Sequence, residues 1–96
     1  MIAMMIDLKG DTETLRKAYK AINDELQRQE QFEGLIVHTA GPTATGWRII
    51  DVWRSNEDFD LFAQRMVPLA QKSGMTIEGR PEVWEIENSM NLPTGS

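Results

Sequence analysis

The chain contains no cysteine. That excludes a disulfide framework, a thiolate nucleophile and any metal site built on thiolates. It has one histidine, His38, with no second imidazole at helical spacing, so no metal site is expected. Basic residues are also scarce. Ten Lys and Arg stand against 15 Asp and Glu, a net charge of -5, which is the wrong sign for a nucleic-acid partner. Long apolar runs are missing too. Met1–Leu8 is apolar, but it carries no basic leader and is too short for a signal peptide or a membrane span. A cytoplasmic protein without a membrane partner is the resulting expectation. The sequence has no internal repeat and no low-complexity segment.

What remains is an ordinary globular composition, 41% hydrophobic and 26% charged over 96 residues. It suits a single domain over residues 1–90, followed by a polar tail over 91–96. Ile2, Met4, Ile6 and Leu8 alternate and predict a first strand. Gly10 breaks it, and Asp11 or Thr12 can cap a helix over 12–30. The apolar stripe of that helix is Leu15, Ala18, Tyr19, Ile22 and Leu26. Glu33-Gly34 ends the unit. Ser55-Asn56-Glu57-Asp58 opens a second helix in the manner of a capping box, and Phe59, Phe62, Ala63, Met66 and Ala70 mark its buried stripe. Pro68 should kink that helix or split off its last turn, and Gly74 should stop it. A loop over 76–81 then leads to a strand over Glu82–Glu87.

Between the helices lies the most informative stretch. Leu35–Ala40 and Trp47–Arg54 read as two strands joined by a loop that begins Gly41-Pro42 and ends Gly46. The element order is therefore β-α-β-β-α-β, an α+β ferredoxin-like fold: a four-stranded antiparallel sheet with both helices on one face. With a symmetric loop, Ala40 opposes Trp47 and Ile36 opposes Asp51. Ile36, His38, Ala40, Trp47, Ile49, Asp51 and Trp53 then share one face, and Leu35, Val37, Thr39, Arg48, Ile50, Val52 and Arg54 share the other. His38 and Asp51 become diagonal neighbours, about 7–8 Å apart along the backbone. A one-residue bulge in the loop would separate them onto opposite faces.

Motif-like strings elsewhere carry no chemistry. Gly41 to Gly46 has the glycine spacing of a phosphate-binding loop, but Trp47 stands where the lysine belongs, and the segment joins two strands rather than a strand and a helix. Leu92-Pro-Thr-Gly95 is one residue short of a sorting signal.

Taken together, G-L-x-x-H-x-A-G-P over 34–42, G-W-R-x-x-D-V-W-x-S over 46–55 and F-x-x-F over 59–62 resemble the dimeric α/β-barrel proteins. More narrowly, they resemble small bacterial members grouped near the antibiotic-biosynthesis monooxygenases, over roughly residues 1–88. The resemblance implies a homodimer formed by packing sheets together, with a small hydrophobic ligand held between sheet and helices. It also implies cofactor-independent oxygenase or polyketide-processing chemistry. Its haem-degrading members use a histidine on a helix, whereas the one here falls on a strand.

The residues point to a dimer independently. Two helices cover one sheet face, yet the middle strands are apolar on both, and a second copy would cover the other face.

Two readings of the site follow. In the first, the protein is a small enzyme without a cofactor that acts on an aromatic compound. His38 is its base, Asp51 fixes the imidazole, and Trp47, Trp53 and Tyr19 contact the ligand. That reading expects a pocket beside His38 with an indole at its wall and one imidazole nitrogen free. In the second, the protein is a non-catalytic ligand-binding or interaction dimer in which His38 and Asp51 form a structural pair.

Overall fold

The computed structural model describes residues 1–29, 33–73 and 81–90. Its elements are β1 (Ile2–Lys9), α1 (Thr12–Gln29), β2 (Leu35–Thr43), β3 (Gly46–Trp53), α2 (Asn56–Ser73) and β4 (Glu82–Glu85). The strands form one antiparallel sheet in the order β2-β3-β1-β4. This is the ferredoxin-like α+β arrangement that the periodicities predict. The stop at Gly74, the loop over 76–80 and the tail over 91–96 lie outside the described residues.

Each helix start is fixed by its own side chains. The Asp11 carboxylate accepts the Thr14 backbone N–H at 2.9 Å and the Thr14 hydroxyl at 2.8 Å, so Asp11 rather than Thr12 is the cap. These two bonds hold the Asp11 carboxyl below its ordinary range. At α2, Ser55 Oγ accepts the Asp58 N–H at 3.2 Å and donates to Asp58 Oδ2 at 3.0 Å. Arg54 clamps the same carboxylate through two nitrogens, at 3.0 and 3.3 Å. α2 runs on through Pro68 to Ser73, so the proline does not split off the last turn.

Both helices pack on the sheet face that carries the buried apolar residues of β1 and β3. Paired residues on neighbouring strands point the same way, which aligns Ile2 with Trp53, Met4 with Asp51, Ile6 with Ile49 and Leu8 with Trp47. Two buried clusters anchor the helices. Leu8 and Trp47 hold Leu15 of α1, and Ile2, Met4 and Trp53 hold Phe59 of α2.

The hairpin differs from its symmetric expectation in two ways. β2 runs through Gly41-Pro42 to Thr43, leaving only Ala44-Thr45 as the turn. Pro42 is tolerated because β2 is an edge strand, where a missing N–H can face away from the sheet. The register therefore moves by two residues, which preserves the faces, and His38 now lies directly opposite Asp51. The second difference is a bulge between Leu35 and Val37. Leu35, paired with Trp53, turns to the helix side, while Ile36 is 50% exposed. The bulge reverses the faces predicted for these two residues and, lying beyond Val37, leaves the His38–Asp51 pairing intact.

Two glycines are steric necessities. A Cβ at Gly46 would lie 1.9 Å from the Leu8 carbonyl oxygen. Gly34, at φ +86°, would place one 2.4 Å from an Asp58 carboxylate oxygen, while its own carbonyl accepts the Arg54 N–H at 2.7 Å. Gly34→Ala should thus cost roughly 1–3 kcal/mol of stability and lower the melting temperature. An unchanged melting curve would contradict this account of the β2 entrance.

Candidate functional site

The four rows across the helix-facing side of the sheet are unequal in bulk. Trp47 fills the row at one end and Trp53 the row at the other. Between them sit Ile6, Ile49 and Ala40 in one row and Met4, Asp51 and His38 in the next. These middle rows leave room under the helices, and a cavity of about 490 Å³ opens there. Met4, Ile6, Leu35 and Ile49 form its apolar floor. Phe59, Phe62, Ala63, Met66 and Val67 make α2 an entirely apolar wall. The α1 wall is different in kind, with Tyr19, Asn23 and Gln27 beside Ile22 and Leu26.

Asp51 is 2% exposed, and a carboxylate so buried requires a partner. His38 supplies it: Nδ1 lies 2.6 Å from Asp51 Oδ1. A charge-assisted bond of this kind contributes about 1.5–3 kcal/mol. Because the carboxylate can only accept, Nδ1 carries the proton and donates. In the neutral imidazole, Nε2 is then an acceptor.

That acceptor is met by the Tyr19 hydroxyl of α1 at 2.5 Å, with the two rings only 12° from parallel. Burial, and then the negative charge of Asp51, push the Tyr19 phenol up from its ordinary value. Tyr19 therefore stays protonated and donates to Nε2. The result is a chain of three side chains, Asp51–His38–Tyr19, at the wall of an apolar cavity. The carboxylate holds the imidazole, and the imidazole polarises the phenol. The phenol oxygen keeps its own lone pairs for a further partner.

Several expectations for the site need correction. His38 does not present a free nitrogen, because Tyr19 occupies Nε2. Trp47 and Trp53 do not line the cavity. Trp53 is 0% exposed and packs against Phe59 and Phe62, at ring distances of 6.0 and 4.9 Å. Trp47 is buried beneath α1, with the Tyr19 ring at 5.4 Å and the Arg16 guanidinium at 5.7 Å. The indoles flank the cavity at the two ends of the sheet without lining it. Asn23 and Gln27 are cavity residues that the apolar stripe concealed. Their spacing of four and eight residues from Tyr19 is the signal that could have found them.

Among the described residues, no three metal-ligating side chains converge, and no helix is long and apolar enough to cross a membrane.

No family model matches this chain, and no curated protein matches its sequence. Solved structures do. A Deinococcus radiodurans protein assigned to the antibiotic biosynthesis monooxygenases superposes with a TM-score of 0.67 at 12% identity, covering 97% of this chain and 99% of that one. A monooxygenase from the ActVA-Orf6 gene of Streptomyces coelicolor, in complex with the ligand Nanaomycin D, gives 0.64 at 15% identity, over 97% and 91%. A dimeric ferredoxin-like protein from an uncultured marine organism gives 0.58 at 11%, over 95% and 90%. At these identities the likeness is one of fold. It is the fold of the group that the hairpin and helix-start motifs resemble.

Tyr19 is the only tyrosine in the chain, so the absorbance of phenolate relative to phenol follows one group. Its midpoint should lie above the ordinary 10.0, and Asp51→Asn should bring it part of the way down, burial being the larger cause. With the folded value above the unfolded one, the linked stability is fully present below pH 10 and is lost as pH rises through the folded midpoint. A midpoint at or below 10, unmoved by Asp51→Asn, would contradict this electrostatic account.

Proposed function

We propose that the protein binds a small, mostly apolar aromatic compound in the cavity and removes a proton from a hydroxyl of that compound. The observation that carries the proposal is the Asp51–His38–Tyr19 chain at the wall of an otherwise apolar cavity. In the step we envisage, the ligand hydroxyl gives its proton to the Tyr19 oxygen while the Tyr19 proton passes to His38 Nε2. Asp51 stabilises the imidazolium that forms. The ligand is left as an electron-rich phenolate or enolate, and proton and charge both balance. Such an anion is the common starting point of cofactor-independent monooxygenation and of polyketide-type ring closure, so the reading covers either reaction. His38 acts through Tyr19, and Asp51 orients His38. The Streptomyces coelicolor neighbour in complex with Nanaomycin D supports a ligand in this fold.

We further propose that the chain works as a homodimer through its uncovered sheet face. That face presents Val37 at 47% exposure, Ile50 at 38% and Trp84 at 45%, with Met5 and Val52 half-buried between them. Exposed apolar side chains gathered on one sheet face mark an interaction surface. The dimeric ferredoxin-like neighbour supports the same assembly.

One observation favours a second reading, a non-catalytic ligand-binding or interaction dimer. Both nitrogens of His38 are engaged by protein groups, as in a structural staple. His38→Asn separates the two readings better than His38→Ala. Alanine strips the buried carboxylate of its partner and destabilises the fold under either reading. Asparagine keeps an N–H for Asp51 and removes the base.

The test uses naphthol, whose absorbance distinguishes phenol from phenolate. Bound to the wild type below its solution pKa, it should show the naphtholate spectrum. In His38→Asn it should bind as the neutral form. Sedimentation of both proteins should give twice the 10.9 kDa chain mass. Neutral naphthol in the wild type would eliminate the catalytic reading, and a monomer at micromolar concentration would eliminate the dimer.

A further inference from the structure

The cavity is polarised along one helix. Its floor and its α2 wall are apolar, and the His38–Asp51 pair is spent on itself and on Tyr19. The polar groups left over are the side-chain amides of Asn23 and Gln27 on α1. Among the described residues, neither amide has a hydrogen-bond partner. Asn23 is half-buried and Gln27 exposed, so Asn23 meets the interior of the cavity and Gln27 its rim.

The helix fixes where Asn23 stands. Four residues along an α-helix put it on the same stripe as Tyr19, about 6 Å further along the axis. The apolar residues Ile22 and Leu26 run beside this stripe, 5% and 7% exposed, and pack α1 onto the sheet. The Tyr19 and Asn23 stripe is thereby held at a fixed height over the cavity. The half-buried Asn23 amide lines the cavity and has no partner among the described residues, so it is available to a polar group of a ligand held there.

We propose that Asn23 is a specificity-determining residue, recognising a second oxygen substituent of the ligand. That oxygen lies on the same edge as the hydroxyl held by Tyr19, about one ring further along. Asn23 can donate to a carbonyl or accept from a hydroxyl, so the ligand class is a flat aromatic compound oxygenated along one edge and bare along the other. The bare edge faces α2, where Phe62 and Met66 give it only apolar contact. This orientation sets which hydroxyl reaches Tyr19. The inference rests on the proposed binding of an aromatic hydroxyl compound by Tyr19, and the experiment is chosen to tell the two apart.

Three probes suffice: naphthol, the dihydroxynaphthalene with its second hydroxyl on the adjacent carbon, and the one with its second hydroxyl on the same edge of the neighbouring ring. In the wild type, the third should bind roughly three- to tenfold tighter than naphthol, the worth of one well-made hydrogen bond. The adjacent diol should gain nothing. Asn23→Leu should erase the gain, so that within the variant the third probe binds no tighter than naphthol, and Tyr19→Phe should weaken all three probes. Asn23→Ser, which shortens the side chain without adding bulk, repeats the test should the leucine variant fail to fold. If naphthol binds in a Tyr19-dependent way but the third probe shows no gain, or keeps its gain without Asn23, the assignment of Asn23 is overturned and the proposed function stands. If none of the probes binds, or Tyr19→Phe changes nothing, both are overturned.

Discussion

A buried carboxylate in the middle of a sheet must be matched by a donor, and this requirement organises the site. Asp51 sits on β3 with almost no exposure, and the side chain opposite it on β2 is the only imidazole of the chain. The two-residue turn at Ala44-Thr45 sets that opposition. A hairpin one residue longer would place His38 and Asp51 on opposite faces and leave the carboxylate bare. The register is thus specified twice, once by the turn and once by the cost of an unpaired charge. His38 faces the helices as a consequence, and Tyr19 of α1 reaches its second nitrogen.

The cavity has an equally simple origin. Trp47 and Trp53 stand six residues apart on β3 and therefore share the helix-facing side. Each fills one end of the space between sheet and helices. The residues between them on that side, Ile49 and Asp51, are smaller, so the helices rest on the two indoles and bridge the gap. The tryptophans thereby act as spacers. Their role is architectural, while the chemistry falls to the smaller residues between them.

The fold was legible in the sequence because period-two and period-3.6 patterns, two caps and a terminating Gly34 all agreed. The faces of His38, Ile49 and Asp51 were legible as well, since the true register differs from the symmetric one by an even number of residues. Four features were not. Gly41-Pro42 resembles a loop in composition, and only its place on an edge strand admits it to the sheet. The bulge at Ile36 leaves no mark in hydrophobicity, because Leu35 and Ile36 are equally apolar and exchange faces silently. The contact between Tyr19 and His38 joins residues 19 apart in sequence and depends on the height of α1 over the sheet, where Leu15 and Tyr19 rest on Trp47. For the same reason Asn23 was hidden: an amide beside an apolar stripe reads as a solvated flank until the cavity beneath the helix is seen.

The central claim is that Asp51, His38 and Tyr19 form one directed hydrogen-bond chain that can take a proton from a bound ligand. With one histidine in the chain, nitrogen NMR of labelled imidazole reports it directly. The account predicts a neutral ring protonated at Nδ1 and accepting at Nε2, which becomes doubly protonated when naphthol is added at constant pH. A ring protonated at Nε2 in the free protein, or a tautomer that naphthol leaves unchanged, would contradict it.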